Sequence, residues 1–565
     1  MKRTGAQILW ETLLREGVEV VFGYPGGANL PIYDAMPNYP IRHILARHEQ
    51  GATHMADGYA RASGRVGVVL VTSGPGATNT VTGIATAMMD SSPIVVITGQ
   101  VPSKLIGYDA FQEVDMTGIT LPITKHNYLV TDVNELGRVL REAFYIASSG
   151  RPGPVLIDIA KDAQQAATEW EPDTQPIILQ GYRPEKRVNE DEIIRVSEMI
   201  HAAKRPVILA GAGILRSNAV EELRQLAEIA QIPVGVTLMG IGSFPANHDL
   251  HLGYMGMHGE AWVNKAIQQS DLILALGMRF SDRVTGNIKN FAKNAQKIHI
   301  DIDNTELNKN VKVDLALNGD LKNTLKRILP YLKRMDHSSW LEEIDEIARD
   351  SRRRDIQNKN NVNELLAAHV IYDLWKYTQG ESLICTDVGQ HQMWTAQYYK
   401  FNKPYRFITS GGLGTMGFGL PAAIGAKVAR PNDEVWVIAG DGGFQMTQAE
   451  LATLRQENIK MNIAVINNGY LGMVRQWQEF FYEKRYAGTP IISPDFVKIA
   501  EAHGHQGIRV TQRSEVESAI QRARTESGTI LLDFRVRPED SVYPMVPSGA
   551  NLDEMIRRPE EEIIS

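Results

Sequence analysis

Residues 435–468 read VWVIAGDGGFQMTQAELATLRQENIKMNIAVINN. Val435–Ala439 is a short apolar run without polar alternation, the pattern of a strand buried on both faces of a parallel sheet. It delivers Gly440-Asp441-Gly442-Gly443 to its carboxyl end, a helical stretch follows, and a second apolar strand ends at Asn467-Asn468-Gly469-Tyr470. Mg²⁺ prefers six oxygen ligands and takes few of them from protein. Asp441 offers a carboxylate oxygen, Asn468 an amide oxygen and Tyr470 a backbone carbonyl, which leaves places for phosphate oxygens and a water. Gly440, Gly442 and Gly443 let the backbone approach a diphosphate, and the helix start behind them favours its charge. A capped turn is the other reading of Gly-Asp-Gly alone. The spacing to Asn468, with a strand before and after, favours the metal.

Working outward, the same strand, glycine turn and helix start recur at Val68–Asn79 (VVLVTSGPGATN). With VEVVFGYPGG, PIVVITGQ and GPVLIDIAK they make residues 1–165 one α/β domain. RPVILAGAGI, IPVGVTLMGIG, DLILALGMRFSD and KIHIDID mark a second over 189–333, and SLICTDVG, EVWVIAGDGG, MNIAVINN and TILLDFRV a third over 363–537. Between them lie a polar linker, 166–188, and a charged, solvated helical connector, 334–360; a proline-containing tail follows at 538–565. The expected fold is α/β: three doubly wound domains with mostly parallel sheets, ligands binding outside the strands' carboxyl ends.

Bulk properties narrow the function classes. A chain of 565 residues is too long for one core. A net charge of −7 gives no footprint for nucleic acid or an anionic membrane, and the apolar runs are far too short for a membrane span. Cys385 stands alone, so no intrachain disulfide and no multi-cysteine metal site can form. Residues 6–16 read as an amphipathic helix closed by Gly17 rather than as a signal or transit peptide, so cytoplasm is the expected compartment.

Residues 440–468 resemble the signature of the thiamine-diphosphate-dependent enzymes, and nearly the whole chain resembles their acetohydroxyacid synthase family. Gly23–Ala28 (GYPGGA), Arg47–Gly51 (RHEQG), Phe111-Gln112-Glu113 with Lys125, Ala160-Lys161-Asp162, Val388–His391, Ser410–Ala423 and Met473–Gln478 carry that likeness. Alone, Glu49 is an ordinary helix-start residue. The resemblance implies that Glu49, in an apolar pocket, is the acid that activates the aminopyrimidine of the cofactor. It implies that Gly27, Gln112 and Lys161 line the reaction site, and that Trp477 shapes the place of the second 2-ketoacid. Val388, Gly389, Gln390 and His391 would hold the diphosphate, with Gly414, Leu471, Gly472 and Met473 around the cofactor and Met416 under its thiazolium. For the central domain it implies FAD, held by Arg151, Gly211-Ala212-Gly213, Thr237-Leu238, Met257-His258, Gly277, Arg279, Asp282-Arg283, Asp301-Ile302 and Asp320. Arg283 fits either the ketoacid carboxylate or a structural ion pair. Ser281 and Ala160 stand where the family has aspartate and proline.

The activity implied is decarboxylation of pyruvate and ligation to a second 2-ketoacid, with thiamine diphosphate, Mg²⁺ and FAD. The partners implied are a homodimer or homotetramer, because Glu49 and Asp441 sit on different domains, and a small regulatory subunit. A flavin-dependent pyruvate oxidase or 2-ketoacid decarboxylase on the same scaffold is the rival enzyme; a non-catalytic homologue that only binds partners is the rival of another class.

Overall fold

The computed structural model describes residues 1–184, 187–359 and 364–564; the expected domain start at Asn363 lies outside them. At the amino terminus β1 (Lys2–Thr4) leads into the expected helix, Gly5–Arg15, which buries Ile8, Leu9, Trp10 and Leu13 on one face. The first large sheet holds β2 (Val20–Tyr24), β3 (Arg42–Leu45), β4 (Gly67–Val71), β5 (Ile94–Gln100), β6 (His126–Val130) and β7 (Val155–Ala160). Its order is β3-β2-β4-β5-β7-β6, parallel throughout. β8 (Ala167–Glu169) then returns to pair antiparallel with β1, so part of the expected linker is tied to the first unit.

The central sheet holds β9 (Pro206–Ala210), β10 (Val234–Val236), β11 (His251–Tyr254), β12 (Leu272–Leu276), β13 (Gln296–Asp301) and β14 (Leu315–Asn318). The order β11-β10-β9-β12-β13-β14 is that of a dinucleotide-binding sheet, with its reversal point between β9 and β12. The third holds β15 (Leu383–Thr386), β16 (Phe407–Ile408), β17 (Val435–Gly440), β18 (Asn462–Asn467), β19 (Gln506–Val510) and β20 (Ile530–Arg535), ordered β16-β15-β17-β18-β20-β19. Numbered within their own units, the first and third sheets have one and the same strand order. The rhythm shared by Val68–Asn79 and Val435–Met446 is the local sign of that common topology. All pairings in the central and third sheets are parallel.

The first and third units meet through two helices, Glu49–Ser63 and Gly419–Ala429. They cross so closely that a Cβ on Gly58 would overlap the Ala422 carbonyl, and one on Gly425 the Met55 carbonyl. On the same helix the buried Arg61 takes Asp57 in a two-pronged pair (2.6 and 3.0 Å), Asp90 at 2.9 Å and the Thr409 carbonyl at 2.6 Å. Each charge removed from water there is met by fixed partners, the condition under which a buried ion cluster holds together.

Two expectations need correction. The connector is not simply solvated: its helix Ser338–Arg353 buries Trp340, Ile344 and Ala348, and the Trp340 indole donates to the Pro206 carbonyl at 3.2 Å. Nor is the segment after 537 a loose tail. It buries Val542, Met545, Val546 and Leu552, and its Val546 N–H donates to Met257 of the central unit at 2.8 Å. In the connector, high charge hid an apolar stripe at helical spacing; the segment after 537 buries its apolar residues as irregular chain, which leaves no periodic trace. Among the described residues no helix is long and apolar enough to cross a membrane.

Gly58→Ala and Gly425→Ala should each cost about 1–3 kcal/mol through overpacking. Urea denaturation followed by intrinsic fluorescence should show a lowered midpoint; an unchanged midpoint would refute the close crossing.

Candidate active site

At the carboxyl ends of β15 and β17, the reversal point of the third sheet, Val388–His391 and Gly440–Gly443 face each other across a small cavity. Asn468, Tyr470, Leu471, Gly472, Met473 and Met416 complete it. Asp441, 1% exposed, accepts from the Ser493 hydroxyl at 2.7 Å and the Gly469 N–H at 3.1 Å, both on Oδ2. Burial raises its pKa, and those two bonds only partly offset this. A cation beside Oδ1 would settle the charge, so the donor set fits a hard divalent ion. Asn468 is fixed by its own turn: Oδ1 accepts from the Tyr470 N–H at 3.0 Å while Nδ2 donates to Gln390 Oε1 at 3.3 Å. Gln390 is held in turn through Nε2 by Gln476 and the Asp540 carbonyl, each at 2.9 Å. His391 accepts from the Gly440 N–H at 3.3 Å, and burial lowers its pKa to about 3, so it stands neutral beside the glycine turn.

Ser493 and Asp387 were missed from sequence. Asp387 is 1% exposed and accepts the N–H groups of Val388 (2.8 Å), Gly417 (3.0 Å) and Gly419 (3.0 Å). It thereby clamps the turn that carries Met416 onto the turn that carries Val388. A Cβ on Gly443 would strike its carboxylate, which is why glycine is required there. Nothing in TDVG distinguishes such an acid from a surface one; the signal is three-dimensional.

The first unit's candidates gather at the carboxyl ends of β2 and β4, the equivalent reversal point. Glu49 opens its helix and accepts from the Asn79 amide at 2.9 Å. Gln112 has φ +62°, uncommon for a residue with a side chain, and its backbone packs against Gly74. Gly27 is exposed, and a Cβ there would meet nothing within 4 Å. Phe111 is 88% exposed. Within one chain these residues do not reach the cavity at Asp441, whose lining comes wholly from residues between Val388 and Val474. Among the described residues of one chain Glu49 is only half-buried, short of the apolar pocket expected around it. Lys161 opens the helix Lys161–Gln165 after β7 and lines neither cavity. Lys125 departs from expectation too: its ammonium donates to the Ile146 and Ser149 carbonyls, closing the helix Val133–Ser148, and burial lowers its pKa to about 8.

A cavity of about 550 Å³ opens at the central sheet's reversal point. Ala212, Gly213, Thr237, Leu238, Met257, His258, Gly277, Arg279, Asp282, Arg283, Asp301, Ile302 and Arg151 all line it. Gly277 has φ +58°, and a Cβ on it would come within 2.6 Å of the Gly213 Cα, so two glycine turns press together beneath the cavity. Arg151 reaches from the first unit to Asp303 and Glu306, both at 3.0 Å. His258 is buried with Nδ1 unpartnered among the described residues. Cavity size, sheet order and that orphaned nitrogen fit a dinucleotide. Arg283 pairs with Asp282 at 2.8 Å and remains exposed. Gly211 packs behind the lining against Gly277, and Asp320 lies outside it, capping the helix Leu321–Ile328 through the Asn323 N–H at 2.9 Å. Arg216 was overlooked: it lines the cavity next to Asp90 and Arg61, and burial lowers its pKa to about 10. Gly414, expected around the thiamine cofactor, lines this larger cavity. The two cavities share Val388 and Met473, and Trp477 lines the larger one, stacked obliquely on Phe481 at 5.2 Å.

Three family models match in sequence: thiamine pyrophosphate enzyme N-terminal TPP binding domain over residues 3–119, central domain over 193–328, and C-terminal TPP binding domain over 387–534. The acetolactate synthase large subunit of Buchnera aphidicola (subsp. Schizaphis graminum) is 46% identical over 99% of this chain and 99% of its own. That of Corynebacterium glutamicum is 47% identical over 97% of this chain and 89% of its own. The protein named as a probable acetolactate synthase large subunit in Methanocaldococcus jannaschii is 46% identical over 98% and 95%.

Burial raises the pKa of Asp301 to about 6, although its Oδ1 accepts the Asp303 N–H at 2.8 Å. With a folded value above the unfolded one, the carboxyl's contribution to stability is full below about pH 4 and is lost as pH rises through about 6. Cofactor-free Asp301→Asn should therefore resist urea better than the parent at pH 7 and equally at pH 4. Equal midpoints at both pH values would refute the shift.

Proposed function

The chain belongs to the acetolactate synthase large subunits among the thiamine pyrophosphate enzymes, and from that membership we propose how its residues share the work. It is a thiamine-diphosphate-dependent enzyme that makes acetolactate. The chemistry thiamine diphosphate supplies when bound is a nucleophilic carbon for pyruvate, CO₂ loss and transfer of the two-carbon remainder to a second 2-ketoacid. The products are 2-acetolactate with pyruvate as acceptor and 2-aceto-2-hydroxybutyrate with 2-ketobutyrate.

Asp441, Asn468 and the Tyr470 carbonyl hold Mg²⁺, and the Gly440–Gly443 turn with Gln390 and His391 receives the diphosphate. Glu49 carries the proton exchanged with the aminopyrimidine. Met416, beside Gly442, would support the cofactor, and Trp477 would bound the acceptor's place. FAD would occupy the central cavity in a structural role, held by Arg279, Arg283 and Arg151 as cationic groups and by Asp301 as a hydrogen-bonding acid. The observation that carries the reading is the convergence of Asp441, Asn468, Gln390 and His391 at one sheet's reversal point.

The active unit is a homodimer, alone or paired into a homotetramer. What supports this is that Glu49, Gly27 and Gln112 stand apart from the Asp441 cavity in a single chain. A small regulatory subunit is the proposed further partner, since the relatives are named large subunits.

Acetolactate should form from pyruvate only with thiamine diphosphate, Mg²⁺ and FAD all present; acetate or acetaldehyde as the main product would favour the oxidase or decarboxylase reading. Glu49→Gln should keep thiamine diphosphate affinity and lose about 100-fold or more in turnover; unchanged turnover would remove Glu49 from its role. Trp477→Leu should reduce the preference for 2-ketobutyrate over a second pyruvate by roughly tenfold in a competition assay. An unaltered product ratio would show that Trp477 does not bound the acceptor.

A further inference from the structure

Glu450 sits in the short turn Gln448–Glu450 of the third unit and is 1% exposed. Its carboxylate does not face its own unit's cavity. Oε1 accepts the N–H groups of Arg47 at 3.0 Å and His48 at 3.2 Å, while Oε2 accepts the Arg47 N–H at 3.1 Å and the Thr453 hydroxyl at 2.6 Å. These two N–H groups are the last before Glu49, which begins the helix Glu49–Ser63. A buried anion is thus delivered from one unit to the positive end of a helix in another, where both the dipole and the unsatisfied N–H groups stabilise it. Gly51 belongs to the same device: a Cβ there would strike Glu450 Oε1, so the glycine of Arg47–Gly51 is needed to admit the carboxylate.

The other bonds on this turn come from side chains: the Arg47 guanidinium donates to the Leu45 carbonyl at 2.9 Å and to Gln456 Oε1 at 2.7 Å. The His48 ring caps the Gln50 N–H at 3.1 Å, and the Glu49 carboxylate itself has the Asn79 amide at 2.9 Å. Glu450 also continues the run that starts at Asp441, through the helix Asp441–Thr447 and directly into its own turn. The stretch proposed to anchor metal and diphosphate and the turn presenting Glu49 are therefore joined by one buried carboxylate.

We propose that Glu450 is a positioning residue for the reaction: it fixes the backbone of Arg47 and His48 so that Glu49 is held at the place where it serves the cofactor. This rests on the reading of Glu49 given above. Its effect passes entirely through Glu49.

Three measurements test it together. Glu450→Ala should lower kcat for acetolactate by about 100-fold, the loss expected for a displaced catalytic group, while Glu450→Gln, which keeps one acceptor oxygen, should recover most of it. KM for pyruvate and the Mg²⁺ requirement should stay within about threefold in both, since binding groups are untouched. In a double-mutant cycle, Glu450→Ala placed on Glu49→Gln should cause no further loss. In cofactor-free protein, hydrogen exchange at the Arg47 and His48 amides should accelerate in Glu450→Ala relative to the parent and return toward it in Glu450→Gln, a readout independent of activity. Additive losses in the cycle, or exchange at 47–48 unchanged by the substitution, would overturn the proposal. Full activity of Glu49→Gln alone would instead overturn the role of Glu49, so the two failures are distinguishable.

Discussion

Backbone touches backbone where the helix Glu49–Ser63 crosses Gly419–Ala429, and most of the architecture is conditioned by that contact. Two glycines, Gly58 and Gly425, permit it, and the Arg61, Asp57 and Asp90 cluster is buried beside it. Such an approach leaves no room for side-chain adjustment, so the first and third units behave as one packed body. Everything at the strand ends, from Glu49 to Asp387, inherits its position from this crossing. The central unit joins the third through one continuous buried apolar cluster, with Phe244 and Tyr254 on one side and Trp394 and Phe401 on the other, and Arg151 ties it to the first.

Buried carboxylates do much of the local positioning. Asp387 gathers three backbone N–H groups, and Asp90 takes those of Gly411 (3.2 Å) and Gly412 (2.7 Å) besides its arginine. An acid that accepts several N–H donors in place of water orders the loop that donates them, although burial still raises the pKa of Asp387 against those bonds. The glycines near these acids have a common reason: at Gly51 and Gly443 a Cβ would occupy the place of a carboxylate oxygen. Glycine-rich stretches that read from sequence as phosphate cradles are in part cradles for the protein's own acids.

How much was legible in the amino-acid sequence follows from which signals are local. Short apolar runs ending in glycine turns gave the α/β class and the three units, because burial on both faces leaves a one-dimensional trace. Gly440–Tyr470 gave the candidate metal donors, because a strand, helix and strand of fixed length bring their ends together. Strand order was not legible, since no local rule says that β7 lies between β5 and β6. Glu450 and Asp387 were equally hidden, as their partners are backbone groups whose identity the sequence does not display. Lys125 was legible only as part of a family loop; that its ammonium meets helix-terminal carbonyls leaves no local trace. Charge misled at 334–360, where the apolar residues are few but fall on one side of the helix Ser338–Arg353.

The common strand order of the first and third sheets carries a consequence for how this molecule can change. Two copies of one scaffold present their loops at corresponding edges, so the difference between a unit that grips an ion and one that offers an acid lies in a handful of loop residues: Gly-Asp-Gly-Gly after β17, Ser-Gly-Pro-Gly after β4. The division of labour between the two halves is therefore written almost entirely in turns, and it can be rewritten there without disturbing either barrel-free, open sheet that bears them.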